Sequence, residues 1–197
     1  MNYFGICVES SHKKGMGHFF RALNFINLLK SKNERYVVCI NNNNNSVAVL
    51  RQRKIPFEIV NLEDEETNLE SRLIKKYKIN IWINDRLDTR SQHARKIKKN
   101  HVKLIALDDK GDGSCFTDIN FGTLPCNFNY DLVGKKVLKG LDYLILDPEI
   151  KQFRRIRKTC KQIVVSLGGS DTYGVTLKVV KILKKHGILA TDRKSVV

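Results

Sequence analysis

Apolar residues in this chain alternate between two arrangements. Some form short unbroken runs, as buried strands require, and others recur every three to four positions, as one face of a helix requires. Tyr3 to Val8, Tyr36 to Ile40, Pro56 to Val60, Ile79 to Asp85 and Val102 to Leu107 are runs of the first kind, and Asp118 to Phe121 is a shorter one. Phe19, Ala22, Leu23, Ile26 and Leu29 have helical spacing. So do Val47 and Leu50 behind a capping Ser46, Leu69, Leu73 and Ile74 behind the acidic stretch Glu63 to Glu66, and the segment Thr89 to Lys99. Strand and helix therefore alternate, which predicts an α/β fold with a parallel sheet covered on both faces.

After Gly122 the periodicity lapses until Leu141 to Pro148, and a basic run from Lys151 to Lys161 follows. Ile163 to Leu167 then reads as a new strand, leading into Gly168-Gly169-Ser170-Asp171 and a helix with Val175, Val179, Ile182 and Leu183 that stops near Gly187. Ala190 to Val197 has no strong pattern. The expected organisation is a Rossmann-like domain over residues 1–150, a connector over 151–160, and the first strand–helix unit of a second, truncated domain over 161–197.

Ligands of open parallel sheets sit outside the carboxyl ends of the strands. Several polar groups fall there. Gly15-Met16-Gly17-His18 joins the first strand to the first helix, and its glycines permit a tight turn and close approach of a ligand. The first-turn N–H groups of that helix suit anionic oxygens, His18 stands at the mouth, and Arg21 lies on the same helical face. Asp85 ends the fourth strand and Asp108-Asp109 the fifth. A phosphate-bearing ligand beside a titratable imidazole is the chemistry these segments suggest. Glycine turns that serve only as turns are the plainer reading, and under it His18 has no role.

The chain has 197 residues and a formal net charge of +16. Lysines are dispersed over many helix ends and exposed faces, and no basic motif is interleaved with aromatic residues, so a nucleic-acid partner is not expected, and a basic nucleic-acid-binding protein is the alternative of another class. Peripheral contact with an anionic membrane surface stays open. No apolar stretch approaches the roughly 20 residues that span a bilayer, and no signal peptide is evident. The five cysteines are odd in number and far apart, which fits reduced thiols in a cytoplasmic protein and offers no metal-ligand spacing. Neither metal nor cofactor is expected.

Gly15-x-Gly17-His18-x-x-Arg21, Asp108-Asp109, Leu141 to Leu146, and Val165-Ser166-Leu167-Gly168-Gly169-Ser170-Asp171 occur in that order. Together they resemble the UDP-sugar hydrolases of pseudaminic acid biosynthesis and the related spore-coat polysaccharide proteins. The resemblance implies the two-domain GT-B glycosyltransferase fold, similar to that of the lipid II-forming N-acetylglucosaminyltransferase, with this chain carrying its N-terminal domain. It also implies action on a UDP-linked diacetamido-trideoxyhexose, with His18 as general base toward water. Substrate would be held by Gly15, Gly17, Arg21, Asp85, Asp108, Asp109, Gly168, Gly169, Ser170 and Asp171. Imidazole titrates near neutrality, as such a base needs. Where hydrolases of that family carry Asp-x-Tyr, this chain has Asp85-Arg86-Leu87, which moves it toward the spore-coat-like members. Transfer of the sugar to an acceptor hydroxyl is the alternative on the same fold.

Overall fold

The computed structural model describes residues 2–11, 16–63, 68–123, 131–156, 158–159, 163–166 and 174–192. The chain divides into two compact units, one comprising 1–10 and 18–145, the other 11–17 and 146–197.

Unit 1 is built on β1 (Tyr3–Val8), β2 (Arg35–Ile40), β3 (Phe57–Ile59), β4 (Ile81–Asp85), β5 (Lys103–Leu107), β6 (Ile119–Gly122) and β7 (Val137–Lys139). They form one sheet in the order β3-β2-β1-β4-β5-β6-β7, and every neighbouring pair is parallel. Helices α1 (Gly17–Ser31), α2 (Asn44–Gln52), α3 (Leu69–Tyr77) and α4 (Ser91–Lys99) connect the first five strands. The strand order reverses between β1 and β4, and ligands bind at such a switch point in open α/β sheets.

Side chains alternate across a strand, so the register assigns each residue to a face. Cys7, Cys39 and Asn84 are aligned across β2, β1 and β4, as are Val8, Ile40 and Asp85 one position further on. Cys7, Val37, Cys39, Trp82 and Leu104 pack with Leu73 and Ile74 of α3 and Ala94 and Ile97 of α4. Asn84 shares that face. Asp85 takes the opposite one and meets α1. Gly5 lies close beside Trp82: a Cβ there would lie 2.9 Å from Ile79 Cδ1 and 3.1 Å from Trp82 Cε3, so these side chains would have to shift to admit one.

Three features differ from the sequence expectations. The cap of α2 is Asn43, whose side chain accepts from the Ser46 amide, while Ser46 is buried with its hydroxyl 2.6 Å from that of Ser10. The stretch after Gly122 contains β7, three residues long and held to β6 by its backbone. Leu141–Tyr143 forms a 3-10 turn, and Tyr143 packs its ring 5.3 Å from that of Phe121.

In unit 2, β8 (Ile163–Val165), α5 (Val175–Lys185) and β9 (Ala190–Asp192) form a strand–helix–strand unit with β8 and β9 parallel. The strand β9 falls where the sequence has no pattern, so one more strand is present than expected. Pro148–Phe153 is a 3-10 turn capped by Asp147, whose side chain accepts from the Glu149 amide. Among the described residues no helix is long and apolar enough to cross a membrane.

Candidate active site

Gly17 opens α1, and a Cβ there would meet nothing within 4 Å. Among the described residues packing therefore does not demand this glycine. The first turn of α1 holds no acidic side chain to occupy its amide groups. His18 and Arg21 follow, three residues apart, and both reach toward the end of β4.

Asp85 is the centre of the cluster. Its carboxylate is almost fully buried, 1% exposed, and takes three contacts. Oδ1 lies 2.6 Å from His18 Nδ1. Arg21 donates Nε to Oδ2 at 2.8 Å and Nη2 to Oδ1, forming a two-pronged fork. Arg21 Nη1 continues to Asp108 Oδ2 at 2.5 Å and to Thr123 Oγ1 at 2.9 Å. Thr123 closes the array, donating its amide to Asp108 Oδ1 and its hydroxyl to Asp108 Oδ2, each at 2.6 Å. Four consecutive parts of the switch-point rim are thus joined: the start of α1 and the ends of β4, β5 and β6.

Asp108 has φ of +53°, the left-handed region that Asp tolerates better than most residues. The local turn places its carboxylate against Thr123 and Arg21. Burial pushes the Asp108 carboxyl up, but hydrogen bonds from Thr123 and Arg21 outweigh it and hold the pKa below the ordinary value. Burial likewise opposes the Arg21 charge, and the contacts with Asp85 and Asp108 outweigh it, so its pKa is raised. The guanidinium is a fixed strut between two carboxylates.

Arg21 Nη2 also lies 3.3 Å from His18 Nδ1. Arginine only donates, so that contact and the Asp85 contact ask opposite things of Nδ1. The 2.6 Å contact to a carboxylate is the shorter and the stronger, and it requires Nδ1 to carry the proton. In the neutral ring Nε2 then carries the lone pair, and the side chain is 17% exposed.

On the same face as α1, an apolar cavity of ≈ 300 Å³ is lined by Phe4, Phe25, Ile83, Ile105 and Phe121 together with Arg21 and Asp85. Apolar walls lower the local dielectric and strengthen the ion pairs beside them.

The structure brings His18, Arg21, Asp85 and Asp108 together, and Gly17 precedes His18 at the start of α1. Asp109 turns elsewhere. It is wholly buried, and Oδ1 accepts from the amides of Thr89 and Gly111 at 3.0 and 2.9 Å, tying the turn after β5 to the loop before α4. Burial raises its pKa, with the hydrogen bonds from Thr89 and Gly111 acting the other way. Through Oδ1 Asp109 ties two loops together, while its Oδ2 is buried without a hydrogen-bond partner among the described residues. Gly15 and Gly168, Gly169, Ser170 and Asp171 lie outside the described residues.

Sequence reasoning missed Thr123. It is the first polar residue beyond β6, the position that singled out Asp85 and Asp108 on their own strands. A second buried network also went unseen. His93 Nδ1 lies 2.5 Å from Glu70 Oε1 and Nε2 lies 3.2 Å from Asn84 Oδ1, which also accepts from the Trp82 indole N–H. Asn84 donates in turn to Thr89 Oγ1 at 3.1 Å. No local spacing signals partners so far apart in the chain.

The fold defined here is the Rossmann-like N-terminal domain found in GT-B glycosyltransferases. MurG of Acinetobacter baumannii superposes with a TM-score of 0.63 at 11% identity, over 98% of this chain and 59% of that one. A glycosyltransferase from Rickettsia africae superposes with a TM-score of 0.59 at 12% identity, over 98% and 69%. HepE of Anabaena, in complex with UDP and glucose, has a TM-score of 0.50 at 10% identity, over 95% and 50%. In sequence, the chain is similar to spore coat polysaccharide biosynthesis protein SpsG of Bacillus subtilis, 29% identical over 186 residues. An uncharacterized protein of Methanocaldococcus jannaschii is 27% identical over 191 residues. Each alignment takes in 90% of this chain but only 53% and 39% of those proteins, so the chain spans about half their length or less. No family model matches.

Proposed function

We propose that this chain is the N-terminal part of a nucleotide-sugar enzyme of surface-polysaccharide biosynthesis, and that His18 is its general base. The observation that carries the reading is the 2.6 Å contact between His18 Nδ1 and buried Asp85, which leaves the Nε2 lone pair to take a proton. The substrate is a UDP-linked amino sugar, of the diacetamido-trideoxyhexose type. In the hydrolytic reaction a water oxygen attacks the anomeric carbon as its bond to the diphosphate oxygen breaks. UDP departs with that electron pair and Nε2 accepts the water proton. The similarity to SpsG supports a polysaccharide pathway, and HepE supports UDP as the nucleotide.

Transfer to an acceptor is the second reading, favoured by the fold likeness to MurG and to the Rickettsia glycosyltransferase. There Nε2 deprotonates an acceptor hydroxyl in place of water. The test is UDP release by the full-length protein from a panel of UDP-linked acetamido sugars, with His18→Ala alongside. Release without acceptor that falls by about 10²- to 10⁴-fold in the variant identifies a hydrolase with His18 as base. Release that requires a sugar acceptor identifies a transferase. Equal release by both proteins refutes the role of His18.

A further inference from the structure

We propose that the amino-end rim of the unit 1 sheet, opposite the rim that carries His18, is a docking surface for anionic phospholipid. The inference stands on topology and charge and is independent of the role of His18. Every neighbouring pair of strands in this sheet is parallel. Each helix linking one strand to the next therefore runs back across the sheet, and its C-terminus comes down beside the start of the following strand. Helix ends that are far apart in the sequence are thus gathered on one rim.

Basic side chains crowd there. The last turn of α1 carries Lys30, Lys32 follows it, and Arg35 opens β2. Arg53 and Lys54 stand between α2 and β3. Lys75 lies in the last turn of α3 and Lys78 just beyond it. Lys99 ends α4 and Lys103 opens β5. All of these side chains are exposed. The acids described near this rim are already engaged. Glu34 accepts from the Asn2 amide at 3.0 Å, while Glu58 pairs with Lys76 and Asp118 with Lys98, both at 2.5 Å. The four helices contain a single acid, Glu70, and it is buried against His93. Asp85 and Asp108, by contrast, lie at the opposite ends of their strands. A cation in the last turn of a helix complements the helix dipole, but that does not account for Arg35 and Lys103 on the strands.

The spread of these charges favours a plane as the partner. Five strands about 4.8 Å apart make the rim roughly 19 Å wide. Its cations come from both faces of the sheet, because α3 and α4 lie on the Trp82 face and α1 on the Asp85 face. A nucleic-acid backbone is a single track, and single strands are held by stacking their bases on aromatic rings. Here Tyr3 and Tyr77 pack on each other with centroids 5.7 Å apart and Arg35 lies over Tyr3, so these rings are not presented to bases. Anionic headgroups attract basic side chains held within a Debye length, about 8 Å at physiological salt. Docking in this orientation turns the His18 rim away from the lipid and toward the solution.

The test is sedimentation of the full-length protein with phosphatidylcholine vesicles, with or without about 30% phosphatidylglycerol, in about 0.1 M NaCl. Binding is expected only with the anionic lipid, and is expected to weaken about tenfold or more in about 0.5 M NaCl. Lys32→Glu, Lys54→Glu, Lys78→Glu and Lys99→Glu together should weaken it at least about tenfold. Lys151→Glu, Arg154→Glu, Lys178→Glu and Lys181→Glu together remove the same charge from exposed positions of unit 2, and should cost less than about threefold. Melting followed by Trp82 fluorescence checks that unit 1 is folded, and should the rim reversals unfold it, the same four Lys→Gln changes are measured in their place. His18→Ala should bind vesicles as the wild type does. Failure of the wild type to sediment with anionic vesicles overturns the proposal. Equal weakening by the rim and unit 2 sets also overturns it, since net charge alone would then be at work. Tighter binding to duplex DNA or single-stranded RNA than to the vesicles at the same salt overturns it in favour of nucleic acid.

Discussion

Replacing Arg21 by Met keeps an unbranched side chain of similar reach but removes the guanidinium that bridges Asp85 and Asp108. The two carboxylates are 1% and 9% exposed and the arginine 14%, so water cannot take over the lost contacts. Removing one partner of a buried ion pair costs about 3–5 kcal/mol, because a charge is left without compensation. For a chain of this size each kcal/mol moves the midpoint by about 2–4 °C, so Arg21→Met should melt roughly 6–20 °C below the wild type at pH 7. Trp82 is the only tryptophan and is buried in the core of unit 1, so its fluorescence reports this unit. The pH dependence adds an independent check. In the wild type the Asp108 pKa is held below the ordinary carboxylate value of about 3.9. The unfolded chain then binds the proton more readily, and this contribution to stability is present above that value and lost on acidification below it. Without Arg21, burial pushes the Asp108 carboxyl upward with less to oppose it. Protonation in the folded variant then begins at higher pH and removes part of the penalty. The stability gap between variant and wild type should therefore narrow from pH 7 toward pH 4. A gap under about 1 kcal/mol at pH 7, or one that stays constant with pH, would refute the buried-strut account.

Other consequences follow from the same geometry. Gly111→Ala places a Cβ 2.2 Å from the Thr89 carbonyl oxygen and 2.4 Å from its nitrogen, so the loop tied by Asp109 has to move. Denaturant unfolding should show a loss at or above the roughly 1–3 kcal/mol typical of overpacking, and an unchanged midpoint would contradict the close approach. Asn84→Ala removes the partner of the buried Trp82 indole N–H and of His93 Nε2, while His93 Nδ1 keeps Glu70. The expected cost is about 1–3 kcal/mol for each unsatisfied group, measured by chemical denaturation. Burial, the largest influence, pushes the Cys7 thiol up to about 12 and the Cys39 thiol well above its ordinary value, while Cys115 is exposed. Iodoacetamide at pH 8 followed by mass spectrometry should modify Cys115 and spare Cys7 and Cys39 in the folded protein. Labelling of Cys7 at the rate of Cys115 would show that the strand core opens.

Much of this protein could be read from near-neighbour pattern. Unbroken apolar runs marked β1, β2, β4 and β5, and the three-to-four spacing of Phe19, Ala22, Leu23, Ile26 and Leu29 marked α1, because burial on one or both faces is imposed position by position. The same pattern put Asp85 and Asp108 at strand ends and His18 at a helix start, and strand ends in a parallel sheet share one rim. Two strands of three residues escaped, although β3 and β8, equally short, lay inside longer apolar runs. Val137–Lys139 and Ala190–Asp192 become strands only because β6 and β8 offer them backbone partners, and no run that short carries a period of its own. Asn43 outcompeted Ser46 as a cap because Ser46 was drawn inward to Ser10, a residue 36 positions away. The working geometry of the site was likewise beyond the sequence. That Asp85 and not Asn84 meets α1 depends on the register of β4 against β1. That Arg21 spans Asp85 and Asp108 depends on β4 and β5 lying side by side at the switch point. Those neighbours are 64 and 87 residues from Arg21 along the chain. Distances of that order are set by strand order and register, and only the folded sheet fixes them.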